Sequence, residues 1–273
     1  MTKCDIVVLI AASVLVIIGN ALMWRAAGAT FNATLASAYQ YQTMVFVYAL
    51  ATAWLNLLLA AKPPASRAVP RFLFYGFLYY ASVLSVQNWQ SVDDNRHYYD
   101  TDNGLYAAKS NTERALGGQI LAYAGLFVAL FNVHGKFSLK CSFGTVLFLV
   151  AVALNVIGSV ILWNVDSTQI DPPAGIVSDR ADAFLVAVSQ WMTLLILAGT
   201  VLFEHDEGAG AAVFGIGLFG VWYLSNGFAL KTANTSDSSQ VDKAWAGSLF
   251  CWFSSWAALL SARSALAAKS ESA

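Results

Sequence analysis

Few residues of this chain have the types and spacing that chemistry requires. Glu204-His205-Asp206-Glu207 sets three carboxylates and an imidazole in one turn, the donor types a cation takes. One turn cannot supply a full ligand set, so no metal is expected there. Asp100-Thr101-Asp102-Asn103-Gly104 echoes a calcium loop, but the spacing departs from the EF-hand pattern. His134 and His205 fall at span ends and His97 falls in the largest polar segment. Cys4, Cys141 and Cys251 give neither a disulfide framework nor a CxxC metal site. There is no Ser-His-Asp grouping, P-loop or dinucleotide fingerprint. These residues predict a protein that is not an enzyme and holds no cofactor.

Two kinds of modification chemistry remain. Cys4 and Cys141 lie just outside apolar runs, where a thiol can be S-palmitoylated or stay free. Asn32-Ala-Thr34 and Asn234-Thr-Ser236 are N-glycosylation sequons.

The elements that carry these residues are set by composition. The chain has 273 residues, 58% hydrophobic and only 11% charged, and its mean hydropathy is +0.59. A soluble domain carries about 25% charged residues, so most of this surface must face lipid. The formal net charge of −1 argues against nucleic acid as a partner.

A helix needs roughly 20 mainly apolar residues to cross the hydrocarbon core. Eight runs meet that length: about 6–24, 43–61, 72–90, 115–133, 143–164, 183–203, 208–229 and 244–262. They are continuous rather than alternating, which excludes barrel strands. A signal peptide is the alternative for the first run, but no cleavage site follows cleanly before Trp24 and Arg25. Lys3, Lys62, Arg67, Arg71, Lys136, Lys140, Arg263 and Lys269 collect on one side, predicting cytosolic N- and C-termini. Most acids, with both sequons, fall on the other side. The expected location is the plasma membrane or secretory-pathway vesicles.

Ionisable residues within a span are expensive and functional, and the centres of these eight runs contain none. Their polar residues are uncharged: Asn20, Asn56, Gln119, Asn132, Asn155, Gln190, Thr193, Ser225 and Asn226. Such groups bond across helices for about 1 kcal/mol each. A polar path for a small neutral solute is the other use for them.

The chain also reads as written twice. Arg114-Ala-Leu-Gly-Gly aligns with Lys243-Ala-Trp-Ala-Gly, bringing Gly118 to Gly247, Tyr123 to Trp252 and Phe127 to Trp256. IIGNALMW (17–24) aligns with VIGSVILW (156–163), and FLFYGFLYYASVLSVQN (72–88) with AVFGIGLFGVWYLSNGF (212–228). The second and sixth runs pair weakly. The expected architecture is therefore all-α and polytopic, with two parallel four-helix repeats, 1–140 and 141–273. Gly247, Cys251 and Ser255 form one four-residue stripe, matched by Gly118 and Ala122 and continued by Gly125. Small residues at that spacing let backbones approach closely in lipid. Trp252 and Trp256 form a second ridge. Either ridge serves packing within a bundle or docking of another copy or another protein. Tyr98, Tyr99 and Tyr106, in the polar segment 91–114, are candidate exoplasmic contacts.

Four helices, cytosolic ends, a short first exoplasmic loop and the small, aromatic helix AGSLFCWFSSWAALLSA (246–262) resemble the MARVEL domain. That tetraspan fold occurs in myelin-and-lymphocyte proteins, physins, gyrins and fungal membrane-compartment proteins. A tandem pair is similar to the arrangement of the myeloid-associated differentiation markers. The paired luminal cysteines of physins are missing here, as are the loop patterns of claudins and tetraspanins. The resemblance implies membrane organisation, lipid-domain association and trafficking, with membrane lipids, the chain itself or other membrane proteins as partners. It supplies no catalytic residue. A carrier for a neutral solute and an accessory subunit of a larger complex are the alternatives.

Overall fold

Long apolar runs without interior proline leave the backbone one way to satisfy its own hydrogen bonds in lipid, and that is the helix. A computed structural model describes residues 3–29, 33–99, 106–134, 142–164, 180–203, 207–218, 220 and 238–270. Its described residues are almost all helical, with no strand among them. The helices are α1 (Lys3–Ala29), α2 (Ala33–Leu58), α3 (Ala68–Tyr99), α4 (Tyr106–His134), α5 (Phe143–Trp163) and α6 (Arg180–Leu202). They are followed by α7 (Ala209–Leu218) and α8 (Ser238–Ser270).

Four helices are long and apolar enough to cross a membrane, over Cys4–Ala26, Ser37–Ala61, Arg114–His134 and Phe143–Leu162. The chain is an integral membrane protein. Val7, Ile17, Val47, Leu58, Phe143 and Leu149 are each about half exposed or more, as lipid-facing side chains must be. Of the other four expected runs, three fall on α3, α6 and α8; the run 208–229 begins on α7, and 219 and 221–229 lie outside the described residues. Of these, α6 and α7 contribute shorter apolar stretches, Gln190–Leu202 and Ala209–Leu218.

The polar segment 91–114 is not the loop that its composition suggests. α3 runs on to Tyr99 and α4 begins at Tyr106, so Tyr98, Tyr99 and Tyr106 lie on helix ends. SVDDNRHYY, 91–99, contains neither glycine nor proline, and nothing stops the helix where it leaves the apolar run. At 1.5 Å per residue, the 32 residues of α3 span roughly 48 Å, more than the hydrocarbon core of about 30 Å.

The chain divides into two units, Met1–Gly135 and Lys136–Ala273. In unit 1, α1 lies along α4, and α2 packs on α1, α3 and α4. Trp54 Nε1 donates to Ser13 Oγ at 2.9 Å and Asn20 Nδ2 donates to the Thr43 carbonyl at 3.3 Å, fixing α2 to α1 at two levels. The α2–α3 turn is two short 3-10 turns, Leu59–Ala61 and Pro64–Arg67, with the Ser66 amide donating to the Pro63 carbonyl. Proline fits the first turn of a helix because its missing N–H would have no partner there. In unit 2, α5 lies along α8 and α6 packs on both. Ser142 caps α5, its Oγ accepting from the Thr145 amide at 3.2 Å.

Candidate functional site

The closest contacts in each unit lie along one antiparallel pair of helices. In unit 1 a Cβ built on Gly118 would sit 2.6 Å from the Gly19 carbonyl oxygen, and one on Gly19 would meet the Gly118 carbonyl and the Ala122 amide. One step along, a Cβ on Gly125 would lie 2.7 Å from the Ala12 carbonyl oxygen. Another step along, Asn132 Nδ2 donates to the Asp5 carbonyl at 2.9 Å. The steps are seven residues on both helices: 5, 12, 19 on α1 and 132, 125, 118 on α4. A seven-residue repeat is the spacing that keeps two helices in contact along a left-handed crossing.

Unit 2 carries a seam of the same spacing, 144, 151, 158 on α5 and 261, 254, 247 on α8. A Cβ on Gly158 would lie 2.8 Å from the Gly247 carbonyl oxygen and would also meet Cys251 Sγ. Ser254 Oγ donates to the Ala151 carbonyl at 2.7 Å, and Ser261 Oγ donates to the Gly144 carbonyl at 2.7 Å. Each α5 position stands 139 residues after an α1 position (19 to 158, 12 to 151, 5 to 144). Each α8 position stands 129 after an α4 position (118 to 247, 125 to 254, 132 to 261).

The small residues singled out in the sequence are thus spent inside the units. Gly118, Ala122 and Gly125 are buried against α1, and Gly247 and Cys251 against α5. Ser255 is buried, accepts from Gln190 and faces Gly220. None of these presents an open docking face. Trp252 and Trp256 do form a ridge, their rings edge to face at 6.1 Å, with Trp256 half exposed. Cys4 is an exposed thiol at the start of α1. Cys141, Asn32, Asn234, Ser225, Asn226, Glu204–Asp206 and Asp100–Gly104 lie outside the described residues.

Two buried glutamines tie the second helix of each unit to its fourth. Gln119 Nε2 donates to Gln42 Oε1 at 2.9 Å. Gln190 Nε2 lies 3.1 Å from the Cys251 carbonyl, 3.3 Å from Ser254 Oγ and 3.2 Å from Ser255 Oγ. Sequence reasoning starts the second span at residue 43 and so misses Gln42, which is fully buried. The polar run Tyr39-Gln-Tyr-Gln-Thr43 hides it, although Tyr39, Gln42, Thr43 and Phe46 recur at helical spacing and are all buried.

The unit ends differ more. In unit 1, Arg67 Nε donates to Asn56 Oδ1 at 3.1 Å, Arg71 is buried, and the Tyr75 hydroxyl lies 3.0 Å from His134 Nδ1. In unit 2 the position matching His134 is Arg263 (134 to 263, again 129), which is exposed. Beside it, Val213, Leu259, Ala262, Arg263, Leu266 and Ala267 line an open groove of about 530 Å³.

The third and seventh runs do not align as their sequences suggest. Phe74 and Leu78 are fully buried, but Phe214 and Leu218 are 66% and 41% exposed. The buried positions match two residues earlier: Pro70, Arg71, Phe74, Leu78 and Ser82 against Gly208, Ala209, Ala212, Ile216 and Gly220. In that register Val213 stands where Tyr75 does. The shared letters in the two sequences reflect lipid-compatible composition, whereas burial reports which face meets the neighbouring helices.

Among the described residues no three His, Cys, Asp or Glu side chains gather as a metal would require. Compared with protein families, curated proteins and solved structures, the chain matches none.

Proposed function

We propose that the chain is an eight-span protein of two tandem four-helix units facing the same way, and that it organises membrane by contact. The observation that carries this reading is the pair of equal seams. Six small or polar positions recur at seven-residue steps in both units, with matching partners. Shared composition does not place a donor on the carbonyl seven residues further along twice, so the seams support a duplicated unit. They also support packing as a use of the uncharged polar residues: Gln119 Nε2, Gln190 Nε2, Ser254 and Ser261 donate to other helices, and Gln42 Oε1 accepts.

The contacts it makes are with lipid, with copies of itself or with other membrane proteins, through the outward faces. On α8 these are Phe253, Trp256 and Leu260, all about half exposed. Both termini face the cytosol, and the membrane is the plasma membrane or that of secretory vesicles. This matches the role that a tandem MARVEL-like architecture implies. An exposed Cys4 at the α1 start suits acylation, which adds a lipid anchor to the same surface.

The test is extraction of native membrane patches without detergent, followed by mass spectrometry of intact complexes. Retained copies of the chain, another protein or a defined lipid would support the reading. A lone monomer stripped of both would overturn it.

A further inference from the structure

We propose that unit 2 carries a lipid site that unit 1 has closed. The α7–α8 groove takes an acyl chain of an anionic phospholipid, and Arg263 holds the headgroup phosphate. The site rests on the membrane reading above and names the ligand for one face of it. Among the described residues the lining is apolar at Val213, Leu259, Ala262, Leu266 and Ala267 and charged at Arg263. The volume of about 530 Å³ lies within the range typical of ligand sites, about 300–1,000 Å³.

Unit 1 shows why the groove exists. There the Tyr75 ring is fully buried at this level, with its hydroxyl on His134. In unit 2 valine replaces that tyrosine, leaving the space unfilled, and arginine replaces the histidine. The replacement converts an internally satisfied pair into an apolar slot with a guanidinium at its rim.

The slot lies where the last turn of the eighth apolar run gives way to polar sequence, at Leu259–Ala267. A headgroup therefore reaches Arg263 while its chain stays at acyl depth. Guanidinium presents paired donors that match phosphate oxygens. Among the described residues the lining contains one cation and no carboxylate, which favours a lipid with net negative charge over a zwitterion. A free phosphate would leave the apolar lining uncovered, which is why a lipid is the occupant.

The experiment places the full-length chain in nanodiscs of phosphatidylcholine with a minor fraction of phosphatidylglycerol and reads retained lipid by intact-complex mass spectrometry. The wild-type chain is expected to hold phosphatidylglycerol above its bulk share. Arg263→Gln should lower that preference about fivefold, the effect of one interfacial cation, and Arg263→Lys should keep most of it. Val213→Tyr, which restores the ring of unit 1, should reduce retention of both lipids. Helical content and melting of each variant check that it folds. Retention in the bulk ratio by the wild-type chain would overturn the site without any variant, as would an unchanged preference in a folded Arg263→Gln. A protein segment found in the groove would overturn it too. If the preference is absent but the chain still carries copies or partners out of native membrane, the site alone falls and the contact reading stands.

Discussion

The two seams are closed alike at one step, by Gly19 against Gly118 and Gly158 against Gly247, and differ at the next two, where unit 1 uses Gly125 and Asn132 and unit 2 uses Ser254 and Ser261. Where Gly125 lets the α1 backbone press against α4, Ser254 reaches across to the Ala151 carbonyl. Where Asn132 spans the gap to Asp5, the shorter Ser261 spans a narrower one to Gly144. One spacing therefore admits two ways of holding helices together. Close backbone approach gains dispersion and weak Cα–H···O contacts. Donated hydrogen bonds gain about 0.6 kcal/mol each on average in membranes. The first tolerates no added atom, whereas the second tolerates some adjustment.

That contrast is broken most strongly at the glycines. Gly19→Ala should destabilise unit 1 by about 2–3 kcal/mol, because the new methyl meets the Gly118 carbonyl and the Ala122 amide, which are backbone. Gly247→Ala in unit 2 should be milder, about 1 kcal/mol, because the nearest atom is Cγ of the flexible Leu162 at 2.8 Å. Reversible unfolding in a bilayer measures both. Equal effects would show that the Leu162 side chain does not yield to the added methyl.

Gln190 sharpens the comparison next. Three acceptors on α8 surround its Nε2, against one for Gln119. Gln190→Leu should cost about 1–2 kcal/mol, near the upper end measured for polar contacts between membrane helices. Gln119→Leu removes one donor, to Gln42 Oε1, and should cost less, about 0.6 kcal/mol; similar losses for the two would implicate packing rather than bond number.

Much of this was legible in the sequence. The apolar runs give helices, because lipid leaves no alternative, and the small residues of α4 and α8 mark the faces that meet α1 and α5. The four-residue stripe Gly247-Cys251-Ser255 was visible, but the seven-residue seam was not. Its members include Gly125, Asn132, Ser254 and Ser261, of three residue types, and they become a set only through the backbone carbonyl that each one meets on the partner helix. The register of α3 against α7 was misread for a related reason. In a lipid-facing helix hydrophobicity marks no inside, so matching Phe74 to Phe214 matched letters rather than faces. The α7–α8 groove depends on the absent bulk at Val213, and no motif announces an absence.

A neighbouring pair of glycines gives a smaller test of opposite sign. A Cβ on Gly117 meets nothing within 4 Å, whereas one on Gly118 meets the α1 backbone. Gly117→Ala should stabilise α4 by roughly 0.5–1 kcal/mol through helix propensity alone. Gly118→Ala should destabilise it. If both changes act in the same direction, α4 does not meet α1 through the Gly118 face.

The smallest expected effects bear most directly on whether the two seams are equivalent. Asn132→Ala and Ser261→Ala each delete one side-chain donor to a carbonyl on the partner helix. Each should cost about 0.6 kcal/mol. The carbonyls left behind, of Asp5 and Gly144, sit in the first turns of their helices and so also accept an intrahelical bond from four residues on. That retained partner limits the loss, which is why neither change should approach the larger penalty of an orphaned buried acceptor. The two sites belong to different units, so the double variant should lose the sum of the single losses to within about 0.5 kcal/mol. A loss well above the sum would mean that loosening one seam weakens the other. The two units would then fold as one cooperative body, and the equal spacing of their seams would serve the assembly of the whole chain.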